Sequence, residues 1–558
     1  MTAAGEEATA TREATLDRLA SETFDLLVVG GGATGAAIAR DAALRGVAVA
    51  LVDAGDFASQ TSSHSSKLIH GGLRYLQYGD LPLVFEGLRE RHRLMSTAPH
   101  LCRPIEFVFP GYRGERPGLH TLGAGIALYN ALALWRPPAA SRRLDAHALY
   151  GLAPHLRSAG LEGAAVYVDC QTDDARLVLE NVLDAEASGA ACANHLRVTT
   201  LVRDRRGRAR GAAVVDAETG ARFEIRARLL VSATGPFTDG FLADGFLDGA
   251  RRLRPTLGVH LVFDAARVPH DGRALVLRTP QDNRLYFVLP AGARTIVGTT
   301  DTDFAPVEDP GRAPRVGDEI RARGADVAYL LEAARHAFPA LGLGPDDVIS
   351  TFAGLRPLLA GNAHTPSETS REHEIARLPD GIIVVAGGKL TTLRRMAEET
   401  TDVVVEALRT AGVERTFAPC ATRARPLPGG GPAPEALAAP EHPPDVSVRL
   451  GVYGARANRL LALIAESPAL GERVDPSLPY LWAEVVQAVR HDRARDLGDV
   501  LVRRLPLFRD AADQGLTAAR RAAALAGREL GWDDARAARE IARYGETVAL
   551  SRRWRDEI

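Results

Sequence analysis

The stretch Phe24-Asp25-Leu26-Leu27-Val28-Val29-Gly30-Gly31-Gly32-Ala33-Thr34-Gly35 decides the fold. A short apolar, partly β-branched run ending on glycine suits a buried strand of a parallel sheet. The glycines open an alanine-rich helix that stops at Arg45-Gly46, and a second apolar run, residues 47–52, ends at Asp53. Strand, glycine turn, helix and strand together make a βαβ unit of about 30 residues. Gly30, Gly32 and Gly35 permit the tight turn and close backbone approach, and the helix N-terminus attracts a pyrophosphate. Asp53 stands where a carboxylate accepts hydrogen bonds from ribose hydroxyls. The unit predicts a dinucleotide site without deciding between FAD and a nicotinamide cofactor.

Working outward, residues 228–232 read as a strand returning to the same sheet and leading into Gly235-Pro236. Residues 381–386 read as another, followed by Gly387-Gly388-Lys389 and a helix start at Leu390-Thr391-Thr392. Between them, residues 285–289 and 295–298 suit a mostly antiparallel sheet in a second, substrate-facing domain. Residues 425–445 (RPLPGGGPAPEALAAPEHPPD) have a linker composition, and residues 446–558 show helical periodicity. The fold class expected is therefore α/β: a Rossmann-like βαβ domain with an inserted, mostly antiparallel sheet, plus a C-terminal helical domain. The expected boundaries are a mobile or weakly helical leader at 1–22, the two-part α/β region at 23–424, the linker at 425–445 and the helical domain at 446–558. Within 23–424, the cofactor-binding segments are placed at about 23–110, 165–240 and 350–424.

A chain of 558 residues is too long for one compact core. With 46% hydrophobic and 25% charged residues it has the balance of a globular protein, not of a disordered or multi-span membrane chain. A net charge of −2 argues against a protein that coats nucleic acid. Cys102, Cys170, Cys192 and Cys420 form no CxxC pair, so neither a disulfide framework nor a metal site is expected. The N-terminal residues carry acids where a secretory signal needs bases. No run approaches the roughly 20 apolar residues of a membrane span. The nearest, residues 119–135, contains His120, Thr121 and Asn130 and predicts a buried helix, with contact at a membrane surface as the alternative.

Residues 61–76 (TSSHSSKLIHGGLRYL) pack hydroxyls, a lysine, two histidines and a Gly-Gly pair into one segment. Ser65, Ser66 and neighbouring N–H groups suit a phosphate or a ring carbonyl, and Gly71-Gly72 lets backbone lie against a flat ring. The motifs SSKLIHGGLRYLQ, GGGATG, VSATGP, GTTDTDF, GLRPLL and GGKLTTLRRMAEE, with VDCQTDDARL at 168–177, resemble the FAD-dependent, quinone-linked glycerol-3-phosphate dehydrogenases. DLGDVLVRRL at 496–505 resembles the C-terminal helical domain of that family.

The resemblance implies FAD bound along the βαβ unit by Gly30, Gly32, Gly35, Asp53, Thr61, Ser62, Ser66, Lys67 and Leu68. Gly235 and the segment Gly388, Lys389, Leu390, Thr391 and Thr392 join them. A helix N-terminus at that last segment would stabilise the anionic reduced ring. A phosphate monoester calls for bidentate arginines. By resemblance Arg74, Arg356 and Arg371 meet the substrate, with Tyr75 and His260 as further contacts. Catalytic roles are expected of His70, Arg356 and Lys389, His70 being the first candidate for the base because imidazole titrates near neutrality. An arginine-stabilised alkoxide is the rival account, and His260 is a weaker candidate for the base. Phe237 and Ala291 stand where the family usually has tryptophan.

The resemblance implies oxidation of sn-glycerol 3-phosphate to dihydroxyacetone phosphate, with electrons passed to a membrane quinone. The alternatives are an oxidase that releases hydrogen peroxide, and a relative acting on another polyol phosphate or an amine. The implied location is the cytoplasm, in peripheral contact with the inner face of the cell membrane. A homodimer is left open.

Overall fold

Residues 24–29 form the strand Thr23–Val29, buried at every position after the first. In this computed structural model, residues 11–134, 138–243, 252–309, 311–360, 372–438 and 443–558 are described. Thr23–Val29 pairs in parallel with Val49–Val52 on one side (Val28 opposite Leu51) and with Arg222–Ser232 on the other (Val28 opposite Val231). Ile383–Gly387 continues the parallel set beyond Arg222–Ser232. Among the described residues eight strands make up this sheet. Because the chain steps to opposite sides of Thr23–Val29, the carboxyl ends of these strands form a topological switch point, where ligands of open α/β sheets bind. Their β-branched and leucine side chains pack beneath the helices Ala33–Leu44 and Leu393–Thr410.

Among the described residues the second sheet has ten strands and is antiparallel except where Ala274–Arg278 runs parallel to Arg103–Tyr112. A long pairing joins Leu253–Asp264 to Ser350–Leu359, with Thr256 opposite Arg356 and His260 opposite Phe352. Arg103–Tyr112, Leu161–Gln171 and Ser350–Leu359 all pair in this sheet, although much of each falls in segments expected to accompany the cofactor. A boundary drawn along the sequence misses this, since one strand can enter the second sheet while its end borders the first.

The C-terminal segment is helical, with Trp482–Arg490, Leu516–Leu530 and Asp534–Arg552 packed around Val485, Leu501, Ala522 and Tyr544. Trp554 leaves this unit and is buried among the residues under the second sheet. The segment read as a linker is tied down in its described portion: Leu427 N–H donates to the Thr97 carbonyl at 2.8 Å and Gly429 N–H to Glu180 at 2.8 Å. In the leader, Arg12–Ser21 is a helix capped by the Thr11 hydroxyl, with Leu19 fully buried and Arg12 2.6 Å from Asp216. It is docked rather than mobile; residues 1–10 lie outside the described residues.

The apolar helix Leu119–Leu132 also differs from expectation. Leu122, Ile126 and Tyr129 are buried, whereas Leu128 is 45% exposed, and so is Leu134 just beyond the helix, at 59%. One apolar stripe packs inward and another faces out. The four cysteines are free thiols, three of them buried.

Candidate active site

A cavity of about 500 Å³ opens at the switch point and runs into the second sheet. Gly30 has φ +105°, and a side chain there would lie 2.5 Å from the Ala233 carbonyl oxygen. A Cβ on Gly35 would come within 1.8 Å of the Gly30 carbonyl, so Gly35 works beneath the turn, letting helix and strand close together; it does not line the cavity. Gly30, Gly32, Ala33 and Thr34 form the cavity wall at the helix start. Ser62 Oγ accepts from the Ala33 N–H at 2.9 Å.

Asp53 lines the same end. Its carboxylate accepts from Gly31 N–H at 2.6 Å and Gly55 N–H at 2.8 Å, one on each oxygen, leaving a further lone pair on each for a diol. Burial pushes this carboxyl up to about 6, against the pull of the Gly55 and Gly31 donors. Ala54, Gly55 and residues 196–198 complete the wall beside it. Thr61, Ser66 and Leu68 also line the cavity, as do Gly235, Gly388, Leu390 and Thr391. A tight glycine turn, a helix start and a carboxylate with acceptor capacity to spare in one cavity fit the adenosine and pyrophosphate of FAD.

Lys67 and Thr392 depart from the expected contacts. Lys67 turns its ammonium away, 2.6 Å from the buried Asp174 and 3.0 Å from the Ser63 carbonyl, and is not part of the cavity wall. Ser65 Oγ donates to the same carboxylate at 2.7 Å, so Asp174 anchors the serine-rich segment as a structural post. Thr392 is buried, its hydroxyl 3.3 Å from the Lys389 carbonyl, behind the wall made by Thr391.

At the far end the wall changes chemistry. Arg356 enters the cavity with its guanidinium held by acceptors that include Asp301 Oδ1 at 3.1 Å, Thr299 Oγ1 at 2.9 Å and the Thr300 carbonyl at 2.9 Å. Gly258 leaves it room, since a Cβ there would lie 2.3 Å from Arg356 Nη2. Lys389 Nζ sits 3.7 Å from the centroid of the Tyr75 ring, and both residues line the cavity. Among the described residues its charged walls comprise Arg197, Arg315, Arg356 and Lys389 against the acid Asp53. Arg74 is half-buried beside Tyr75 but does not line the cavity, and Arg371 lies outside the described residues.

His70 and His260 both border this end. The His70 backbone is clamped by Thr391, whose hydroxyl accepts from the His70 N–H and donates to its carbonyl, each at 3.1 Å. Gly71 N–H donates to Tyr129 Oη at 2.8 Å, and Tyr129 donates to Asp169 at 2.8 Å. Arg91 pairs with the other oxygen of Asp169. His260 is stacked on Phe352, ring centroids 4.5 Å apart, with Nε2 2.9 Å from Ser66 Oγ. Burial, then the charges of Arg356 and Lys67, hold its pKa well below the usual imidazole range, so it is neutral at physiological pH. Its Nδ1 is buried.

Sequence reasoning missed Thr299, Thr300 and Asp301 as the Arg356 clamp, although GTTDTDF had marked the segment. It missed Arg315 and the wall at 196–198, which no local motif announces. Phe237 does line the cavity, whereas Ala291 lies outside it.

With this geometry in place, comparison with known proteins is informative. Residues 25–403 match the family model described as FAD dependent oxidoreductase, and residues 420–537 the model described as the C-terminal domain of alpha-glycerophosphate oxidase. The chain is 34% identical over 506 residues, 89% of each protein, to an aerobic glycerol-3-phosphate dehydrogenase of Staphylococcus haemolyticus. It is 33% identical over 507 residues, 88% of each, to the protein of that name from Staphylococcus aureus. The solved glycerol-3-phosphate dehydrogenase of Bacillus halodurans, complexed with FAD, superposes with a TM-score of 0.77 at 29% identity, covering 97% of both chains. The L-alpha-glycerophosphate oxidase of Mycoplasma pneumoniae, at 18% identity and a TM-score of 0.51 over 73% of this chain and 99% of its own, shares the fold. Matched along both its α/β region and its helical C-terminus, the chain belongs to the FAD-dependent glycerol-3-phosphate dehydrogenase family, and its cofactor is FAD.

Proposed function

We propose that the protein oxidises sn-glycerol 3-phosphate to dihydroxyacetone phosphate and delivers the two electrons to a membrane quinone. The observation that carries this reading is the placement of Arg356, Lys389 and Tyr75 in the same cavity as the glycine turn and Asp53. FAD, when bound, supplies the two-electron acceptor. Asp53 takes the ribose hydroxyls, and the first turn of Ala33–Leu44 faces the pyrophosphate. Arg356, pre-set by Asp301 and Thr299, binds the dianionic phosphate without first having to order itself. Lys389, stacked on Tyr75, adds a second positive charge.

Oxidation at C2 also releases the hydroxyl proton. His70 takes it: its backbone is fixed by Thr391 and the residue lines the cavity that holds Arg356 and Lys389. His260 is the poorer acceptor, with one ring nitrogen on Ser66 and the other buried, and it serves as a neutral wall that positions substrate.

The quinone reading draws support from the surface. Among the described residues no helix is long and apolar enough to cross a membrane. Residues 119–134 nevertheless carry no charged side chain and expose Leu128 and Leu134, and Leu81 of the adjacent helix Leu81–Thr97 is 42% exposed. Exposed apolar side chains of this kind suit shallow contact with a lipid surface, where quinone resides. The second reading, an oxidase using oxygen, is favoured by the family description matched at 420–537. Steady-state assays of glycerol 3-phosphate with a soluble quinone analogue and with oxygen separate them. Turnover several-fold faster with quinone supports the proposal, and stoichiometric peroxide with negligible quinone reduction rejects it.

A further inference from the structure

The C-terminal helical unit meets the α/β region through several ion pairs, among them Arg176–Asp492 and Arg495–Glu218, and one set of contacts lies directly behind the Asp53 wall. Asp56, 1% exposed, accepts from Arg504 Nη2 at 2.9 Å, from Arg503 Nε at 2.5 Å and from Asn194 Nδ2 at 2.9 Å. His195 Nε2 lies 2.9 Å from the fully buried Asp499. Arg503 also reaches Asp499 at 2.6 Å. Asp56, His195 and Asp499 bring three potential ligand atoms within 4.8 Å of one another, but the charge between the two carboxylates is the Arg503 guanidinium.

These contacts continue through the backbone to the cavity. His195 N–H donates to the Gly55 carbonyl at 2.7 Å, and Leu196 N–H to the Asp53 carbonyl at 2.7 Å. Gly55 N–H in turn holds an oxygen of the Asp53 carboxylate at 2.8 Å. Leu196 is itself part of the wall. Three links, from Asp499 to His195, from His195 to Gly55 and from Gly55 to Asp53, therefore connect the C-terminal unit to the acid expected to take the ribose.

We propose that the C-terminal segment 491–504 is a positioning element of the cofactor site, which fixes the wall at residues 53–55 through Asp56 and His195 and so sets the affinity for the adenosine end of FAD. The inference rests on the reading of Asp53 as the ribose acceptor. His195, Arg503 and Asp499 touch no cofactor themselves; they act through Gly55 and Asp53. A wall held in its bound geometry loses less freedom when the ribose docks. A purely structural interface would lower thermal stability when weakened but leave the affinity of the folded protein unchanged.

The test uses the full-length holoenzyme, diluted so that released flavin is read by its fluorescence, with melting measured in parallel at saturating FAD. His195→Ala should raise the FAD dissociation constant about tenfold, as expected for a lost hydrogen bond to a charged group. His195→Gln, whose amide nitrogen can still reach Asp499, should restore affinity to within about twofold. Arg503→Lys, which loses the fork but keeps the charge, should weaken FAD in the same direction. A lower melting temperature with an unchanged dissociation constant overturns the proposal, as does equal weakening by the Ala and Gln variants. Asp53→Asn is the control for the underlying reading. If it weakens FAD while His195→Ala and Arg503→Lys do not, the inference alone fails. If Asp53→Asn has no effect, the ribose assignment fails and the inference with it.

Discussion

Asp301 Oδ1 lies 3.1 Å from Arg356 Nη1, and the same oxygen accepts from Thr256 Oγ1 at 2.8 Å. The acid is thereby locked to the strand paired with that of Arg356, and the guanidinium has one orientation before any anion arrives.

Replacing Arg356 by alanine should raise KM for glycerol 3-phosphate by roughly 10- to 100-fold, the range expected for lost charge-assisted hydrogen bonds. FAD content, read from the visible spectrum, should be unchanged. Asp301→Asn should raise KM less, by weakening the clamp without removing the cation. Unaltered kinetics in Arg356→Ala would remove the phosphate assignment.

Affinity for FAD should fall in acid. The Asp53 carboxyl, raised to about 6 by burial, is ionised above that value and protonated below it. Only the ionised form accepts from ribose with both oxygens. The dissociation constant should rise as pH drops through about 6, and Asp53→Asn should bind weakly with no such step. Fluorescence of released flavin between pH 5 and 8 checks this.

Removing His70 tests the proton acceptor. His70→Asn should lower kcat by about 10²- to 10⁴-fold, the usual contribution of a general base, and abolish the acidic limb of the pH–rate profile. His260→Asn should cost less and keep that limb, because a group held neutral across the working range does not titrate there. Steady-state profiles of both variants decide the assignment.

Alkaline pH should loosen the C-terminal clamp. Burial alone would lower the His195 pKa, but Asp499, by charge and hydrogen bond, with Asp496 and Asp56, raises it to about 9. An imidazolium raised in the folded state stabilises most below the unfolded value of about 6.5, and that contribution disappears as pH rises through the folded value. The melting temperature should therefore fall between pH 7 and 10, and His195→Gln should lack that component of the fall.

Much of the site was legible because its parts are local. The turn at Gly30 to Gly35, Asp53 at the end of the next strand, and Gly387-Gly388-Lys389 ahead of a helix are strand-end features whose spacing implies their geometry. Arg356 was legible through its motif. The misreadings concern partners distant in sequence. Lys67 pairs with Asp174, 107 residues on, so a lysine in a phosphate-like segment became a structural post. Arg503 reaches Asp56 across 447 residues, and no periodicity in either segment hints at it. The apolar run at 119–134 predicted a buried helix because composition reports how hydrophobic a helix is, not which of its faces is covered.

The central claim is most directly tested by mixing the full-length holoenzyme anaerobically with glycerol 3-phosphate and following the visible flavin absorbance. Bleaching should be rapid and saturate with substrate, be slight or absent with unphosphorylated glycerol at the same concentration, and saturate far more weakly in Arg356→Ala. A flavin spectrum unchanged by glycerol 3-phosphate would contradict that claim.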